Sequence, residues 1–327
     1  MAKLGIIVCF YNDEEYLSSL WECLSNLQLK DVNIYFINDH SSDQSYSRIS
    51  ALTKGHTYAH VYTAPSNIKG PGEARNFILD QIDDEYVCFL DADDFVGWDF
   101  YQKTTTIMDN LKLEVLRTDW TVVNGKRRTH SKYESNVPIN TIQKGIEYFK
   151  PYNKSTAFDR AAGCCGIYQK KFLDKFNIRF SSRITGEDRL FVFKCFLFSE
   201  RCMITSVENG YFYRQEATKS RLTTVGDKKQ NEYFIVMKEI VDFYIKSNIN
   251  DINVWRKLIH QSVALFNLHI NRSQRLTKSA YLDLWHKASS LVKLLENCPE
   301  FHYVVNGLSK ERKEFVKKLL HGEFIYD

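Results

Sequence analysis

Residues 88–97 read CFLDADDFVG, and Asp91, Asp93 and Asp94 place three carboxylates within four positions after an apolar run. A polar turn needs one aspartate, and like charges this close repel unless something offsets them. Hard oxygen donors in one place suit a divalent cation, and a diphosphate bound to that cation completes the balance. Asp91 and Asp93 alternate, so on a strand they would share a face. Three other apolar runs close on reactive groups: Phe10-Tyr11-Asn12-Asp13, Asn38-Asp39-His40-Ser41-Ser42-Asp43, and Gly70-Pro71-Gly72-Glu73-Ala74-Arg75-Asn76. A ring such as Tyr11 can stack on a base, a carboxylate such as Asp39 can accept its N–H, and Arg75 can offer a fork of donors to phosphate or ribose. Each alone has a plainer reading. An Asp after a strand is commonly a turn or an N-cap, and Gly70-Pro71-Gly72 reads as a turn opening a helix at Glu73. Together they suit a nucleotide.

The elements that must carry these groups alternate along the first 120 residues. Apolar runs at 4–10, 32–39, 59–64, 86–90 and 114–120 predict strands. Between the first two, Tyr16, Leu17, Leu20, Leu24 and Leu27 have helical spacing, and Ser41 and Asp43 can cap the helix after the second. Continuous apolar strands separated by helices predict βαβ units and a mostly parallel sheet buried on both faces. In such sheets ligands bind beyond the carboxyl ends of the strands, which is where the polar clusters fall. Residues 121–215 are less regular and contain a basic stretch, NGKRRTHSKYE (124–134). From 232 onward, segments near 232–247, 253–271, 277–296 and 308–321 carry apolar residues at three and four spacing, so a small helical domain is expected after about residue 225.

In order and spacing, I-I-V-C-F-Y-N, I-N-D-H-S-S-D, G-P-G-E-A-R-N, F-L-D-A-D-D and T-G-E-D-R-L-F (185–191) resemble family 2 of the glycosyltransferases over roughly the first 215 residues. The resemblance implies a GT-A fold: an α/β architecture with a mostly parallel central sheet flanked by helices, plus a small C-terminal helical domain. It implies a catalytic domain over 1–225, with a nucleotide-sugar-binding half at 1–120 and an acceptor-binding half at 121–225, followed by a helical domain at 226–327. Carried over by residue, it implies that Tyr11 and Asp39 hold the base, Arg75 reaches the nucleotide, and Asp91 lies at the ribose. Asp93 would bind the metal, Mn²⁺ or Mg²⁺, while Asp94 braces the loop. Asp188 would be the catalytic base, and Glu187 would orient it or meet the acceptor. Arg214, Lys219 and Arg221 match a stretch that closes over the diphosphate. The sequence departs from the pattern at Cys9 and Phe10, at Asn38, and at His40, where glycine is common. A capping or packing role suits His40.

The activity implied is inverting transfer of a sugar from a nucleotide-sugar, a UDP-sugar first, to a hydroxyl of a bacterial surface glycan such as a capsule, lipopolysaccharide or teichoic acid. An acceptor hydroxyl has a high pKa, so a carboxylate must take its proton as it attacks the anomeric carbon. Two other classes remain. A sugar-1-phosphate nucleotidyltransferase would need a Gly-rich loop with Arg and Lys after the first strand, which Phe10-Tyr11-Asn12-Asp13 does not supply. A non-catalytic nucleotide-sugar-binding scaffold would have no need of Asp188.

Composition sets the outer limits. The 327 residues are 44% hydrophobic and 26% charged, as in ordinary globular proteins, and the N-terminal run lacks the features of a signal peptide. Eight cysteines form no C-x-x-C pair, which favours a reducing, cytoplasmic setting, and Cys164-Cys165 reads as small packed residues. Residues 1–215 carry a net −1 and residues 216–327 a net +5. A basic face with Arg256, Lys257, His260, Arg272 and Arg275 would suit a polyanionic acceptor polymer or the inner surface of the cell membrane. Its apolar stripe would suit a homo-oligomer through the C-terminal helices. No nucleic-acid partner is expected.

Overall fold

Runs of Ile, Val, Phe and Leu form the centre of the main sheet because their side chains fill both faces of a buried parallel ladder. Strand β1 (Leu4–Phe10) pairs in parallel with β2 (Val32–Asn38), and β2 with β3 (Ala59–Thr63). On its other side β1 pairs in parallel with β4 (Tyr86–Asp91). Helices α1 (Glu14–Ser25), α2 (Ser45–Leu52) and α3 (Pro71–Leu79) make the connections. Helix α1 buries Tyr16, Leu17, Leu20, Trp21 and Leu24, and three of these join Leu4, Ile6, Val8 and Phe10 of β1 in the core with relative exposures of 3% or less. Each such side chain contributes roughly 1.5–3 kcal/mol on burial. The computed structural model describes residues 3–27, 31–160, 162–215, 230–272 and 277–323.

The chain continues through β5 (Phe95–Val96), α4 (Phe100–Leu111), β6 (Val115–Thr118), β7 (Trp120–Asn124), β8 (Arg127–Ser131), β9 (Gly166–Gln169), α5 (Lys170–Lys175), α6 (Glu187–Phe198), β10 (Cys202–Thr205) and β11 (Tyr211–Arg214). The main sheet has the order β10-β6-β9-β4-β1-β2-β3, and β9 runs antiparallel to both neighbours. A second sheet has the order β5-β11-β7-β8. The single strand expected over 114–120 is thus two strands in different sheets. They divide at Asp119, whose buried carboxylate accepts from Ser206 Oγ (2.5 Å) and the Val207 amide (3.3 Å) and pairs with His130 Nε2 (2.7 Å). Helix α3 begins two residues before the expected Glu73, because Pro71 has no N–H to lose and its fixed φ suits the first turn.

Two compact units divide the chain. One comprises Met1–Glu147, Ala161–Ser182 and Glu187–Lys219, the other Tyr148–Arg160, Arg183–Gly186 and Ser220–Asp327. The expected boundary near residue 225 lies outside the described residues. The second unit contains α7 (Gln230–Lys246), α8 (Ile252–Arg272), α9 (Lys278–Glu296), α10 (Phe301–Asn306) and α11 (Lys310–His321). Thr277 and Ser309 cap α9 and α11 by accepting from the amides of Ala280 and Arg312. Gly322 closes α11 at φ 70°, a left-handed conformation that glycine adopts without a Cβ clash.

Two residues of the basic face expected on the C-terminal helices are neutralised from within. Lys257 is 1% exposed and bonds Asp159 (2.5 Å) and the Lys154 carbonyl (3.0 Å). Arg256 pairs with Glu300 at 2.7 Å and lies over the Tyr303 ring. The side chains of Arg272 and Arg275 lie outside the described residues. Among the described residues no helix is long and apolar enough to cross a membrane.

Candidate active site

Strand order brings the expected residues together. Strands β4, β1 and β2 are adjacent and parallel, with Cys9 opposite Asp91 and Phe10 opposite Asn38. Their carboxyl ends therefore present Asp91, Tyr11 and Asp39 side by side. The first two loops are tied by short side chains. Ser41 Oγ accepts from the Asn12 amide (3.0 Å), Asn12 Oδ1 from Ser42 (2.8 Å), and Asn38 Oδ1 from Ser41 (2.9 Å). Asn38 thus fixes the turn that follows it. His40 adopts φ 60°, which accounts for glycine being common there, and its Nε2 donates to the Ile68 carbonyl at 3.0 Å.

Tyr11, 57% exposed, forms one wall of a cleft of about 400 Å³ shared with Asp39, His40, Ser66, Lys69 and Gly70. Asp39 Oδ2 accepts from the Gly70 amide at 3.0 Å, and burial raises its carboxyl above the usual range despite that bond. Gly70 itself sits at φ 89°, which only glycine holds without strain. Two residues further on, a Cβ at Gly72 would lie 2.4 Å from the Ser181 carbonyl oxygen, so this glycine allows α3 to approach Ser181 and Glu187. Lys69 and Ser66 were not among the predicted site residues. Their only signal was position, in the loop before Gly70.

That close approach delivers Arg75. The guanidinium, 8% exposed, donates through Nη2 to Asp91 Oδ1 (2.7 Å) and through Nη1 to Glu187 Oε1 (2.9 Å), above the Phe180 ring. Its Nε is buried with no partner among the described residues. Arg75 therefore bridges the end of β4 to the first turn of α6, where Glu187 and Asp188 lie side by side. Carboxylates also suit that first turn because they complement the helix dipole. Asp188 Oδ2 accepts from the Gly163 amide at 3.2 Å, and burial raises its carboxyl above the usual range. The segment carrying Gly163 is held in turn by fully buried Arg117, which donates to the Ala162 carbonyl (2.6 Å) and Tyr168 Oη (2.8 Å), while Tyr168 Oη donates to the Gly163 carbonyl (3.0 Å).

Burial, followed by the charge of Asp188, raises Glu187 from its ordinary 4.5 to about 7, while Arg75 pulls it back. The folded chain then holds a proton at Glu187 that the unfolded chain releases near pH 4.5. This contribution to stability is complete below pH 4.5 and is lost as pH rises through about 7. Glu187→Gln cannot titrate, so urea melts of this variant should show a flatter fall in unfolding free energy over that window. The difference should reach up to ~3 kcal/mol. Equal slopes in the two proteins would show that the proton is elsewhere.

The three aspartates after β4 separate in role. The strand stops at Asp91 and the chain turns, with the Asp94 amide donating to the Asp91 carbonyl at 3.0 Å. Asp91 and Asp93 therefore do not share a strand face as the alternation predicted, because the turn intervenes between them. Asp94, 1% exposed, accepts from Tyr211 Oη (2.6 Å) and the Arg214 amide (2.8 Å), tying the turn to β11. Arg214 lies over the rings of Tyr16 and Phe95. Lys219 and Arg221 lie outside the described residues. Among the described residues no three His, Cys, Asp or Glu side chains converge as a metal cage. Half-buried Asp93 suits an ion that takes its remaining oxygens from a diphosphate and water. Cys164 and Cys165 are free thiols with sulfurs 3.8 Å apart.

The model of the family described as "Glycosyl transferase family 2" matches residues 5–176. The chain belongs to this family. It is 25% identical over 217 residues to the poly(ribitol-phosphate) β-N-acetylglucosaminyltransferase TarS of Staphylococcus aureus, covering 65% of this chain and 35% of that protein. It is also 25% identical over 251 residues to the teichoic acid poly(glycerol phosphate) polymerase of Staphylococcus epidermidis, covering 75% of this chain and 32% of the other. The chain thus spans about a third of the length of these curated relatives. A crystal structure of S. aureus TarS residues 1–349 in complex with UDP-GlcNAc superposes with a TM-score of 0.69 at 18% identity, over 99% of this chain and 93% of that one. This last likeness is one of fold, and it bears out the α/β reading with a sheet flanked by helices.

Proposed function

We propose that this family 2 glycosyltransferase moves a sugar from a UDP-sugar to a hydroxyl of a phosphate-bearing cell-wall polymer, with inversion. Residues 1–120 would form the donor half, 121–225 the acceptor half, and 226–327 a helical domain. The observation that carries the reading is the Asp91–Arg75–Glu187 bridge, which sets the α6 carboxylates beside the loop that holds Asp93. Tyr11 and Asp39 would hold the uracil at the cleft, Asp91 the ribose, and Arg75 and Arg214 would supply positive charge toward the diphosphate. Asp188 would take the acceptor proton as the acceptor oxygen bonds to the anomeric carbon and the bond from that carbon to the diphosphate breaks. The UDP leaves with that electron pair. Glu187, fixed by Arg75, would orient Asp188 and the acceptor. Asp93 would hold a Mn²⁺ or Mg²⁺ ion, which when bound supplies positive charge to the leaving diphosphate.

The named relatives act on or make polyol-phosphate polymers, and the structural neighbour binds UDP-GlcNAc, which together support the acceptor class and the choice of UDP. Calorimetric titration of UDP-GlcNAc, UDP-glucose and a GDP-sugar, each with Mn²⁺ or with EDTA, tests the reading. UDP-sugar binding that EDTA or Asp93→Asn weakens at least about tenfold is expected, and every tenfold corresponds to ~1.4 kcal/mol. Failure of all UDP-sugars to bind would overturn the donor assignment. Binding indifferent to EDTA would overturn the role of Asp93.

A further inference from the structure

The second sheet has a charged edge that the donor site does not use. Strand β8 ends the order β5-β11-β7-β8 and is joined to β7 by a tight turn at Gly125. Lys126, Arg127 and Arg128 are all exposed, and among the described residues none of them forms an ion pair. Three adjacent exposed cations form a local positive patch, which can protect the strand edge or attract a polyanion.

Register links this edge to the donor site. Arg214 pairs with Val123, and Val123 with Arg128, so the two arginines lie in one cross-strand row. Two strand spacings separate their backbones, about 10 Å. Phe95 of β5 and Phe212 of β11 stack at 4.7 Å, with Arg214 over Phe95 and Arg128 over Phe212. Aromatic faces hold both guanidinium groups on the same side of the sheet. Alternation along β8 turns Arg127 to the opposite face from Arg128, so the cationic track on this side runs from Arg214 through Arg128 to Lys126 at the β7–β8 turn.

We propose that this track is a docking surface for an acceptor polymer linked by phosphodiesters, with phosphates lying along Arg128 and Lys126. The inference rests on the glycosyltransferase reading for the identity of the polymer as acceptor. Evenly charged polyanions match a row of cations on an open edge, whereas a small phosphate would need a closed pocket. Residues 125–132 read GKRRTHSK and contain no apolar side chain to enter a lipid surface, as interfacial segments do.

The test is binding of a fluorescently labelled poly(ribitol phosphate) oligomer, followed by anisotropy at about 50 mM salt, where screening is weak. K126A/R127A/R128A should raise its Kd about tenfold, the sum of several exposed ionic contacts. K126R/R127K/R128K should retain affinity within about twofold, because the track acts through charge. Calorimetry with UDP on the same alanine variant separates the two readings. Loss of polymer binding with UDP affinity kept supports the track, and it does so even if UDP-sugars prove not to be donors. Unchanged polymer affinity overturns it. So does loss of binding to phosphatidylglycerol vesicles with polymer affinity intact, which would assign the hairpin to a membrane. Self-association of the alanine variant in sedimentation, with polymer binding intact, would likewise overturn it in favour of edge protection.

Discussion

Asp188→Asn should slow transfer to acceptor by about 10²–10⁴-fold while leaving UDP affinity nearly unchanged. The substitution keeps the size of the side chain, and an amide oxygen can still accept from the Gly163 amide at the 3.2 Å position. What it removes is the ability to take a proton. Because burial holds the Asp188 carboxyl above the usual aspartate range, the acid limb of kcat/KM in the native enzyme should also sit above that range. Rate falls below that limb, as the carboxylate protonates, and the limb should vanish in the Asn variant. A purely structural Asp188, favourable only as a first-turn charge on α6, predicts something else: a stability loss of about 0.3–1 kcal/mol and no change in the pH profile. Rate measurements across pH on the two proteins decide between them. Retained transfer in the variant would remove Asp188 from the mechanism.

Much of this site could be read before any coordinates because its pieces sit at strand ends. Continuous apolar runs mark β1, β2, β3 and β4, and polar clusters directly after them fall at the carboxyl edge of a parallel sheet. Residues joined by long-range pairing were harder. Arg75 reads as a nucleotide ligand from its motif, but its partner Glu187 is 112 positions away and nothing local announces the bridge. Lys257 reads as surface charge from composition, yet Asp159, 98 positions earlier, draws it inside. Short strands were also hidden. Strand β9 is four residues within a Gly- and Cys-rich stretch, and β11 ends in Arg214, so neither offers the length or alternation that marks a strand. The face shared by Asp91 and Asp93 failed for the opposite reason: alternation is informative only while the strand lasts, and here it stops at Asp91.

Arg75→Met should be the most destabilising of the substitutions considered, by about 3–5 kcal/mol in urea melts near neutral pH. Methionine fills comparable volume above Phe180, so the loss would come from charge and hydrogen bonding more than from a cavity. Without the guanidinium, Glu187 and Asp188 face each other in a largely desolvated site, and Asp91 loses its partner at 2.7 Å. The Asp91 side chain is 35% exposed, so water screens that arm and the Glu187 arm, 13% exposed, carries most of the cost. The buried, unpartnered Nε already reduces what the native pair contributes, which favours the lower part of the range. A double variant separates the terms. Arg75→Met with Glu187→Gln removes the uncompensated charge, and it should recover at least about 1 kcal/mol relative to Arg75→Met alone. The recovery should be larger at pH 8 than at pH 5, since burial and Asp188 already raise Glu187 to about 7 beside Arg75, so without the guanidinium it is neutral at pH 5 and its uncompensated charge is felt only at higher pH. Single and double variants of equal stability at both values would show that the loss on removing Arg75 does not come from an uncompensated charge on Glu187.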